Sequence, residues 1–253
     1  MDETQWWKDF YLPETGLFFF GRDLAEIEET SHFLKRALRL QPGDLLFDQC
    51  SGNGSISLPL AAEGIRVFGV DWVQHYVDQA NAGSSEFDDA VFVQGDAFKV
   101  VPPRPCKAAI NWHSSFGYGG TENHNLGMLQ RAYQALEPGG LFALDYQNVP
   151  GLFHGFKESL VRRTTSDGHE ILLVRESSLD FDRGRINQTW TYLLQHERKV
   201  RQSSLALLLP HQIKGMLEAC GFESIDLYGD TLGSPLSLQS PRCILVGQKP
   251  YEN

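Results

Sequence analysis

The chain has 253 residues, of which 42% are hydrophobic and 21% charged, and these proportions are typical of one globular domain or of one domain with an insertion. A formal net charge of -10 makes nucleic acid or an anionic membrane surface an unfavourable partner, because like charges repel. The sequence holds no apolar run of about eighteen residues and starts with acidic residues, so we expect a cytoplasmic chain with no membrane partner. Its four cysteines are spread singly, so no metal site is predicted.

Residues 1–40 are predicted to form an N-terminal lid and a helix. Aromatic residues crowd positions 6 to 20, ahead of the first predicted strand, so they lie outside the central core. They either pack an N-terminal helix onto the domain or fold over a ligand, where apolar side chains exclude water. The stretch from Leu24 to Leu40 repeats apolar residues at helical spacing and ends at Gln41-Pro42-Gly43, which predicts a helix.

Residues 41–253 are predicted to form one α/β domain, because strand-like and helix-like patterns alternate as they do in a parallel sheet. The first five strands are predicted at Leu45–Gln49, Val67–Asp71, Val91–Gln94, Ala108–Asn111 and Leu141–Asp145. Extended runs between about 165 and 209 predict an antiparallel β insertion, of a kind that caps a pocket or mediates a homodimer. A helix and two final strands follow.

The first predicted strand runs into a glycine-bearing turn and then a helix. Gly52 and Gly54 let the backbone approach a ligand, and the helix start offers unpaired N–H groups. Asp71 ends the second strand, where the ribose of a nucleoside would find a hydrogen-bond acceptor. Ser57 occupies the third glycine position of the dinucleotide fingerprint G-x-G-x-x-G, so that fingerprint is broken.

Three motifs, in this order, resemble those of the class I S-adenosylmethionine-dependent methyltransferases of the small-molecule type. The segment Asp48-x-x-x-Gly52-x-Gly54 is similar to the family's first motif, D-x-G-x-G-x-G, with Cys50 in place of the first glycine. Asp71 falls at the position of the ribose-binding acid, and Gly95-Asp96-Ala97 looks like the adenine-binding segment. A plain glycine turn that packs a helix on a sheet would explain the glycines, but not two acids at matching strand ends.

The resemblance implies a Rossmann-like, seven-stranded, mostly parallel sheet with a terminal antiparallel hairpin, an N-terminal helical lid and an antiparallel β insertion after strand five. It also implies that the chain binds S-adenosyl-L-methionine and transfers its sulfonium methyl group in line to an N, O or C nucleophile of a small-molecule acceptor, with S-adenosyl-L-homocysteine as product. The expected cofactor-binding residues are Asp48, Cys50, Gly52, Gly54, Asp71, Trp72, Asp96, Ala97 and Asn111.

The loop that begins at Asn111 is expected to face the transferred group, because ligands of open α/β sheets bind beyond the carboxyl ends of the strands. His113 in this loop is either a general base, since imidazole titrates near neutral pH, or a structural loop residue. Tyr118, and Tyr11 from the aromatic N-terminal stretch, are candidate catalytic residues that touch the cofactor or the acceptor. Candidate acceptor-binding residues are Trp112, Tyr146, Asn148, Trp190 and Tyr192, with Arg175 and Asn187 as further candidates and sheet packing as the alternative for those of the insertion.

Other functions remain open at this point. Some relatives consume S-adenosylmethionine without methylation, as in cyclisation to azetidine-2-carboxylate with release of methylthioadenosine. A nicotinamide reductase would need the missing third glycine and a Tyr-x-x-x-Lys pair. A binding domain without catalytic activity on the same scaffold is the third alternative, and the acids at 71 and 96 argue against it.

Overall fold

The computed structural model describes residues 5–20, 23–87, 89–113, 115–166 and 168–251, which form two β-sheets with surrounding helices. In chain order the strands are β1 (Leu45–Gln49), β2 (Arg66–Asp71), β3 (Ala90–Gln94), β4 (Cys106–Asn111), β5 (Leu136–Tyr146), β6 (Ser159–Ser166), β7 (His169–Asp180), β8 (Arg185–Leu193), β9 (Arg198–Ala206), β10 (Glu223–Tyr228) and β11 (Cys243–Gln248). After a 3₁₀ helix at Trp6–Lys8, the helices are α1 (Pro13–Phe19), α2 (Leu24–Ala37), α3 (Ser57–Ala62), α4 (Gln74–Gly83), α5 (Glu122–Ala135), α6 (Val149–His154) and α7 (Pro210–Ala219).

The larger sheet has seven strands in the order β10-β11-β5-β4-β1-β2-β3. β1 pairs in parallel with β2 and β4, whereas β11 runs antiparallel to both β5 and β10. Leu46 and Phe47 of β1 point to opposite faces of the sheet and both are fully buried, as expected for a strand covered on both sides. The predicted seven-stranded, mostly parallel sheet with a terminal antiparallel hairpin is therefore confirmed.

Helices cover both faces of this sheet. On one face α2 and α3 contribute Phe33 and Leu60 to the core, and on the other face α5 and α7 contribute Leu129 and Ile213. Burying such side chains stabilises each helix against the sheet by about 1.5–3 kcal/mol per residue. Within the described residues, none of the helices has both the length and the apolar composition that crossing a membrane requires.

Among α2 and the first five strands, two boundaries differ from those predicted by more than two residues. The helix α2 ends at Ala37 rather than at Leu40, because Arg39 adopts a φ of +54°, which an α-helix cannot continue. The strand β5 begins at Leu136 rather than at Leu141, because the backbone already pairs with β4 there.

The smaller sheet is antiparallel, in the order β6-β7-β8-β9, and is the predicted β insertion after the fifth strand. It begins at Ser159 and ends at Ala206, whereas the insertion was predicted at about 165 to 209. Its first strand, β6, was not predicted. Most of its side chains are polar and exposed, so no apolar alternation marks it in the sequence.

The N-terminal segment, residues 5–20, packs against the smaller sheet and against the carboxyl end of the larger one. On the first side, Glu14 forms an ion pair with Lys199 of β9 at 2.6 Å. On the second side, the hydroxyls of Tyr11 and Tyr118 are hydrogen-bonded at 2.6 Å. The segment contains the 3₁₀ helix and α1, so it is helical, as the resemblance implied, while its action as a lid stays a prediction.

Candidate active site

A cavity of about 940 Å³ lies at the carboxyl ends of β1 to β4, with the N-terminal segment forming part of its wall. This is the edge at which open α/β sheets bind ligands. The residues that line this active-site cavity are Trp7, Tyr11, Phe19, Phe20, Asp48, Cys50, Ser51, Gly52, Ser55, Ile56, Asp71, Trp72, Tyr76, Asp96, Ala97, Phe98, Trp112, His113, Ser115, Tyr118 and Met128.

The turn after β1 contains three residues with positive φ. Gly52 at +55° and Gly54 at +75° adopt this conformation without strain, and Cys50 adopts it with a φ of +67°. Cys50 therefore has a left-handed backbone conformation that favours glycine, and a non-glycine residue there costs about 1–2 kcal/mol. The substitution leaves the left-handed geometry of the turn in place.

Asp71 at the end of β2 joins the glycine turn to the neighbouring strand. Its Oδ2 accepts a hydrogen bond from the Gly52 N–H at 2.8 Å, and its Oδ1 accepts one from the Val73 N–H at 2.9 Å. Burial raises the pKa of this carboxyl, while the two backbone donors act to lower it. Because each carboxylate oxygen has a second lone pair, Asp71 can still accept hydrogen bonds from a ligand in the cavity.

Asp48 is a second buried carboxyl on the cavity wall. Ser57, the first residue of α3, donates its hydroxyl to Asp48 Oδ2 at 2.7 Å. Burial raises the pKa of Asp48 to about 7, and the nearby charge of Asp71 adds to this rise. The serine that breaks the dinucleotide fingerprint thus supplies a hydrogen-bond donor to the first acid of the methyltransferase motif.

The cavity is both acidic and aromatic. Asp96 is its third carboxyl, and its Oδ1 accepts a hydrogen bond from the Phe98 N–H at 3.0 Å. Nine of the lining side chains are Phe, Trp or Tyr, and no Lys or Arg of the described residues is among them. Carboxylates and aromatic faces both attract cations, so the wall favours a positively charged ligand. Across the ranges described, no group of three or more His, Cys, Asp or Glu side chains is placed to hold a metal ion.

His113 reaches the cavity from a strained backbone position at the end of β4. Its φ is +64°, and its backbone N–H donates to Asp145 Oδ2 at 2.8 Å. Asp145 is fully buried and also accepts hydrogen bonds from the guanidinium of Arg242, with 2.6 Å between Nε and Oδ1. The ion pair between β5 and the residue before β11 therefore fixes the position of the histidine backbone.

Two tyrosine hydroxyls meet at the boundary between the lid and the larger domain. Tyr11 of the N-terminal segment and Tyr118 both line the cavity, and burial raises the pKa of both phenols above the usual value. They stay protonated at neutral pH, so they act as hydrogen-bonding groups rather than as bases. Beside them the ring of Phe20 covers the glycine turn, since a Cβ added to Gly52 would lie 2.8 Å from that ring.

The structure brings most of the predicted cofactor-binding residues together. The residues of that set that line the cavity are Asp48, Cys50, Gly52, Asp71, Trp72, Asp96 and Ala97. Gly54 is absent from the lining, because it packs closely against Leu58 of α3 and Phe92 of β3. Asn111 lies behind the wall, where its side chain donates to Gln49 Oε1 at 3.1 Å.

The candidate catalytic residues His113, Tyr118 and Tyr11 all line the cavity, and so does Trp112 from the acceptor-binding set. The other four members of that set do not line it. The Tyr146 hydroxyl donates to the Ala206 carbonyl, and the Asn148 amide donates to the carbonyls of Ser237 and Ser240.

Trp190 and Tyr192 of the smaller sheet contact the N-terminal segment instead of the cavity. Their rings pack on Phe19 at 5.6 Å and on Phe18 at 6.1 Å between ring centroids. Phe19 in turn lines the cavity, so the segment stands between these two residues and the site.

Several lining residues were not singled out from the sequence. They are Trp7, Phe19, Phe20, Ser51, Ser55, Ile56, Tyr76, Phe98, Ser115 and Met128. The first three belong to the aromatic stretch that was predicted as a lid, and the next three lie in or beside the glycine turn. The remaining residues come from α4, α5 and two loops, and only tertiary packing turns them toward the cavity.

The order of the sheet, the glycine turn and the acidic ends of β2 and β3 define the class I methyltransferase fold. Residues 47–140 match the family model described as a methyltransferase domain. Residues 47–140 therefore form a methyltransferase domain, as the motifs predicted, and S-adenosylmethionine is its cofactor.

Solved structures share this fold at low sequence identity. A methyltransferase from Clostridium acetobutylicum is 13% identical with a TM-score of 0.78, and the match covers 94% of this chain and 97% of that one. The CcbJ methyltransferase from Streptomyces caelestis is 16% identical with a TM-score of 0.75, over 90% and 97% of the two chains. The sugar N-methyltransferase KedS8 from Streptoalloteichus is 17% identical with a TM-score of 0.74, over 95% and 94%.

A curated relative is similar over part of its length. The S-adenosyl-L-methionine-dependent Diels-Alderase iccD from Talaromyces variabilis is 28% identical over 142 residues, which are 53% of this chain and 46% of that protein. The matched region thus spans about half of each chain.

The chemistry of the cavity fits the cofactor. S-adenosylmethionine carries a sulfonium and an ammonium cation beside one carboxylate, so its net charge is positive, which suits a wall with three carboxyls and nine aromatic rings. Asp71 and Asp96 offer acceptors for ribose hydroxyls and an adenine amino group. The hydroxyl of Ser51 is buried on the wall without a partner among the described residues, so it is left to bond a ligand.

Proposed function

We propose that this enzyme transfers the methyl group of S-adenosylmethionine to a small-molecule acceptor whose reacting part is uncharged or cationic. The composition of the cavity wall supports this proposal. An acceptor with a carboxylate or a phosphate near the reacting atom would enter a cavity whose described lining supplies carboxyls but no Lys or Arg to balance its charge. Amines, phenols and other apolar nucleophiles would instead contact aromatic rings, which tolerate them.

When bound, the cofactor supplies a methyl group that is already activated for transfer by the adjacent sulfonium charge. The protein then has to orient the two reactants, and well-oriented reactants gain about 7–11 kcal/mol of the barrier. Asp71 and the Gly52 N–H form a fixed hydrogen-bonded edge for the adenosyl part. The rings of Trp7, Phe19 and Phe20 in the lid exclude water from the other side.

His113 is the candidate base for an acceptor that must lose a proton. A hydrogen bond from its backbone N–H to Asp145 holds His113 at the cavity wall. Imidazole groups in general titrate near neutral pH, as a general base requires. Tyr11 and Tyr118 share one hydrogen bond between their hydroxyls, so one of the two protons is left to be donated to the acceptor. These two tyrosines would orient the acceptor rather than deprotonate it.

The test is a screen with matched acceptors. The enzyme is incubated with S-adenosylmethionine and sets of compounds that differ only in carrying an amine, a hydroxyl or a carboxylate at the same position. We expect release of S-adenosylhomocysteine, and a product heavier by one methylene, from the amine or hydroxyl members. Turnover confined to the carboxylates would contradict the proposal. The matched control is Asp89→Ala, which removes an exposed acid far from the cavity lining and should leave turnover unchanged.

A second candidate function comes from the curated relative, which is described as an S-adenosyl-L-methionine-dependent Diels-Alderase. A Diels–Alder reaction joins a diene and an alkene and transfers no methyl group. The aromatic wall would also hold such an apolar substrate. In this case S-adenosylmethionine would be recovered intact and the product would keep the mass of its substrate.

A third outcome is the consumption of S-adenosylmethionine alone. Incubation without any acceptor would then release methylthioadenosine, as in cyclisation to azetidine-2-carboxylate. The three outcomes leave different compounds, namely S-adenosylhomocysteine, unreacted S-adenosylmethionine or methylthioadenosine, and one chromatographic run separates these compounds. A single assay therefore distinguishes methyl transfer from both alternatives.

A further inference from the structure

A second cleft, of about 990 Å³, lies on β7, β8 and β9 of the smaller sheet beside the N-terminal segment. Its wall differs from that of the active-site cavity, because Trp6 is its one aromatic residue within the described lining and nearly all the others are polar. The residues that line this polar cleft are Trp6, Glu176, Ser177, Ser178, Asp180, Arg183, Arg185, Asn187, Gln188, Thr189, Gln202, Ser203 and Ser204.

A row of three polar residues crosses the sheet in this cleft. Ser177, Gln188 and Ser203 are paired in register on β7, β8 and β9. The Gln188 amide donates to Ser177 Oγ at 3.3 Å, and Ser203 Oγ is 3.4 Å from Gln188 Oε1. Because side chains alternate along a strand, this row shares its face with the buried Ile186 and Trp190. The Trp190 indole N–H also donates to Ser203 Oγ at 2.9 Å, so the row is hydrogen-bonded within the sheet. The amide of Gln188 has a second N–H that a ligand in the cleft can accept.

Trp6 carries an unsatisfied donor on the wall of the cleft. The residue is 6% exposed, and its indole N–H is buried with no partner among the described residues. Buried tryptophan N–H groups are normally hydrogen-bonded, because an unpaired one costs about 1–3 kcal/mol. A ligand with hydroxyl oxygens would supply the missing acceptor.

The charges in the cleft balance. Glu176 and Asp180 are opposed by Arg183 and Arg185, and the guanidinium of Arg185 already donates to the carbonyls of Gly119 and Ser204. Neither an anion nor a cation is therefore favoured by net charge. The side chains of Ser177, Gln188 and Ser203 share the face of the sheet that the N-terminal segment covers, and their hydroxyl and amide groups suit an uncharged, hydroxyl-rich ligand.

One aromatic pair lies between the polar cleft and the active-site cavity. The ring of Trp6 lies 4.7 Å from the ring of Tyr118, which lines the cavity. We propose that the polar cleft is a subsite for a glycosyl or other uncharged polyol group of the acceptor, while the reacting atom lies in the aromatic cavity. This inference rests on the proposed small-molecule methyl transfer for its role, but binding in the cleft can be measured without turnover.

The test is saturation-transfer NMR on the full chain loaded with S-adenosylhomocysteine, with methyl glucopyranoside, inositol and glucuronate as probes. We expect the two neutral polyols to bind saturably and glucuronate to bind more weakly. Gln188→Leu should weaken the neutral polyols by about fivefold to tenfold through lost hydrogen bonds. Trp6→Phe keeps a ring and removes the N–H, so it should weaken them by a smaller factor. Gln195→Ala, an exposed glutamine outside the cleft, is the matched control and should bind as the parent does.

Cofactor affinity separates the two proposals. If Gln188→Leu keeps the parent affinity for S-adenosylmethionine and loses the polyols, the subsite is supported even when no acceptor is turned over. If the polyols bind equally to the parent and to Gln188→Leu, or do not bind the parent, the subsite is refuted while methyl transfer stands. Preferential binding of glucuronate would also refute it, because the charge argument would be wrong.

Discussion

Replacing Arg242 with methionine tests the buried ion pair that holds the histidine loop. Asp145 is fully buried, and its three acceptor contacts come from one backbone N–H of His113 and two nitrogens of Arg242. Without the guanidinium the carboxylate stays buried with a single donor, and breaking such a pair costs about 3–5 kcal/mol. Because the Arg242 side chain is 32% exposed, we expect a smaller loss, about 2–3 kcal/mol after discounting for solvent screening.

The assay is urea unfolding followed by tryptophan fluorescence, with the melting temperature as a second readout. A loss of that size should lower the melting temperature by about 4–12 °C for a chain of this length. The double variant Asp145→Asn with Arg242→Met removes both charges, so it should recover part of the stability that the single arginine variant loses. If Arg242→Met unfolds within about 0.5 kcal/mol of the parent, the ion pair does not hold this loop and the reasoning is refuted.

Three further variants test the cavity. Cys50→Gly should raise stability by up to about 1 kcal/mol, because it relieves about 1–2 kcal/mol of left-handed strain while glycine loses about 0.5–1 kcal/mol more backbone entropy on folding. Cys50→Val should lower stability by about 1–2 kcal/mol, since a β-branched residue fits poorly at a φ of +67°, and urea titrations of both variants compare them directly. Because the pKa of Asp48 rises from 3.8 to about 7 on folding, its contribution to stability is present at low pH and is lost as pH rises to 7. Asp48→Asn lacks that loss, so its stability relative to the parent should rise between pH 5 and 7.5 in unfolding titrations; a constant difference would count against the buried carboxyl. Tyr118→Phe removes the hydrogen bond to the half-buried Tyr11 hydroxyl and should cost about 0.5–1.5 kcal/mol. It should also reduce kcat/KM for the identified acceptor more than it changes cofactor affinity, and an unaltered kcat/KM would remove Tyr118 from the site.

The parts of the site that were predictable are those set by local sequence. A strand, a glycine turn and a following acid lie within a short stretch, so Gly52 and Asp71 could be placed from spacing alone. The architecture of the seven-stranded sheet followed from the resemblance of the same motifs to those of the class I methyltransferases. Even Cys50 in place of a glycine did not disturb this, because its backbone adopts the left-handed conformation in any case.

The parts that were not predictable depend on contacts between distant segments. Trp190 was expected near the acceptor because side chains on its strand alternate between the two faces of the sheet. This pattern does not reveal that Phe19, far away in the chain, covers the face on which Trp190 lies. The anchoring of His113 needs Asp145 and Arg242, which belong to different strands and loops. Three expectations stay predictions: that residues 1–40 form a separate lid unit, that the chain forms a homodimer and that it is cytoplasmic.

Calorimetric titration of S-adenosylmethionine into the parent enzyme and into Asp71→Ala tests the central claim most directly, with Asp89→Ala as the control for loss of one acid. Asp71 fixes the glycine turn through the Gly52 N–H and offers acceptors to the ligand, so its removal should weaken binding at least about tenfold, or about 1.4 kcal/mol. The control should bind as the parent does. Equal affinity of the parent and Asp71→Ala would contradict the assignment of this cavity to the adenosyl group.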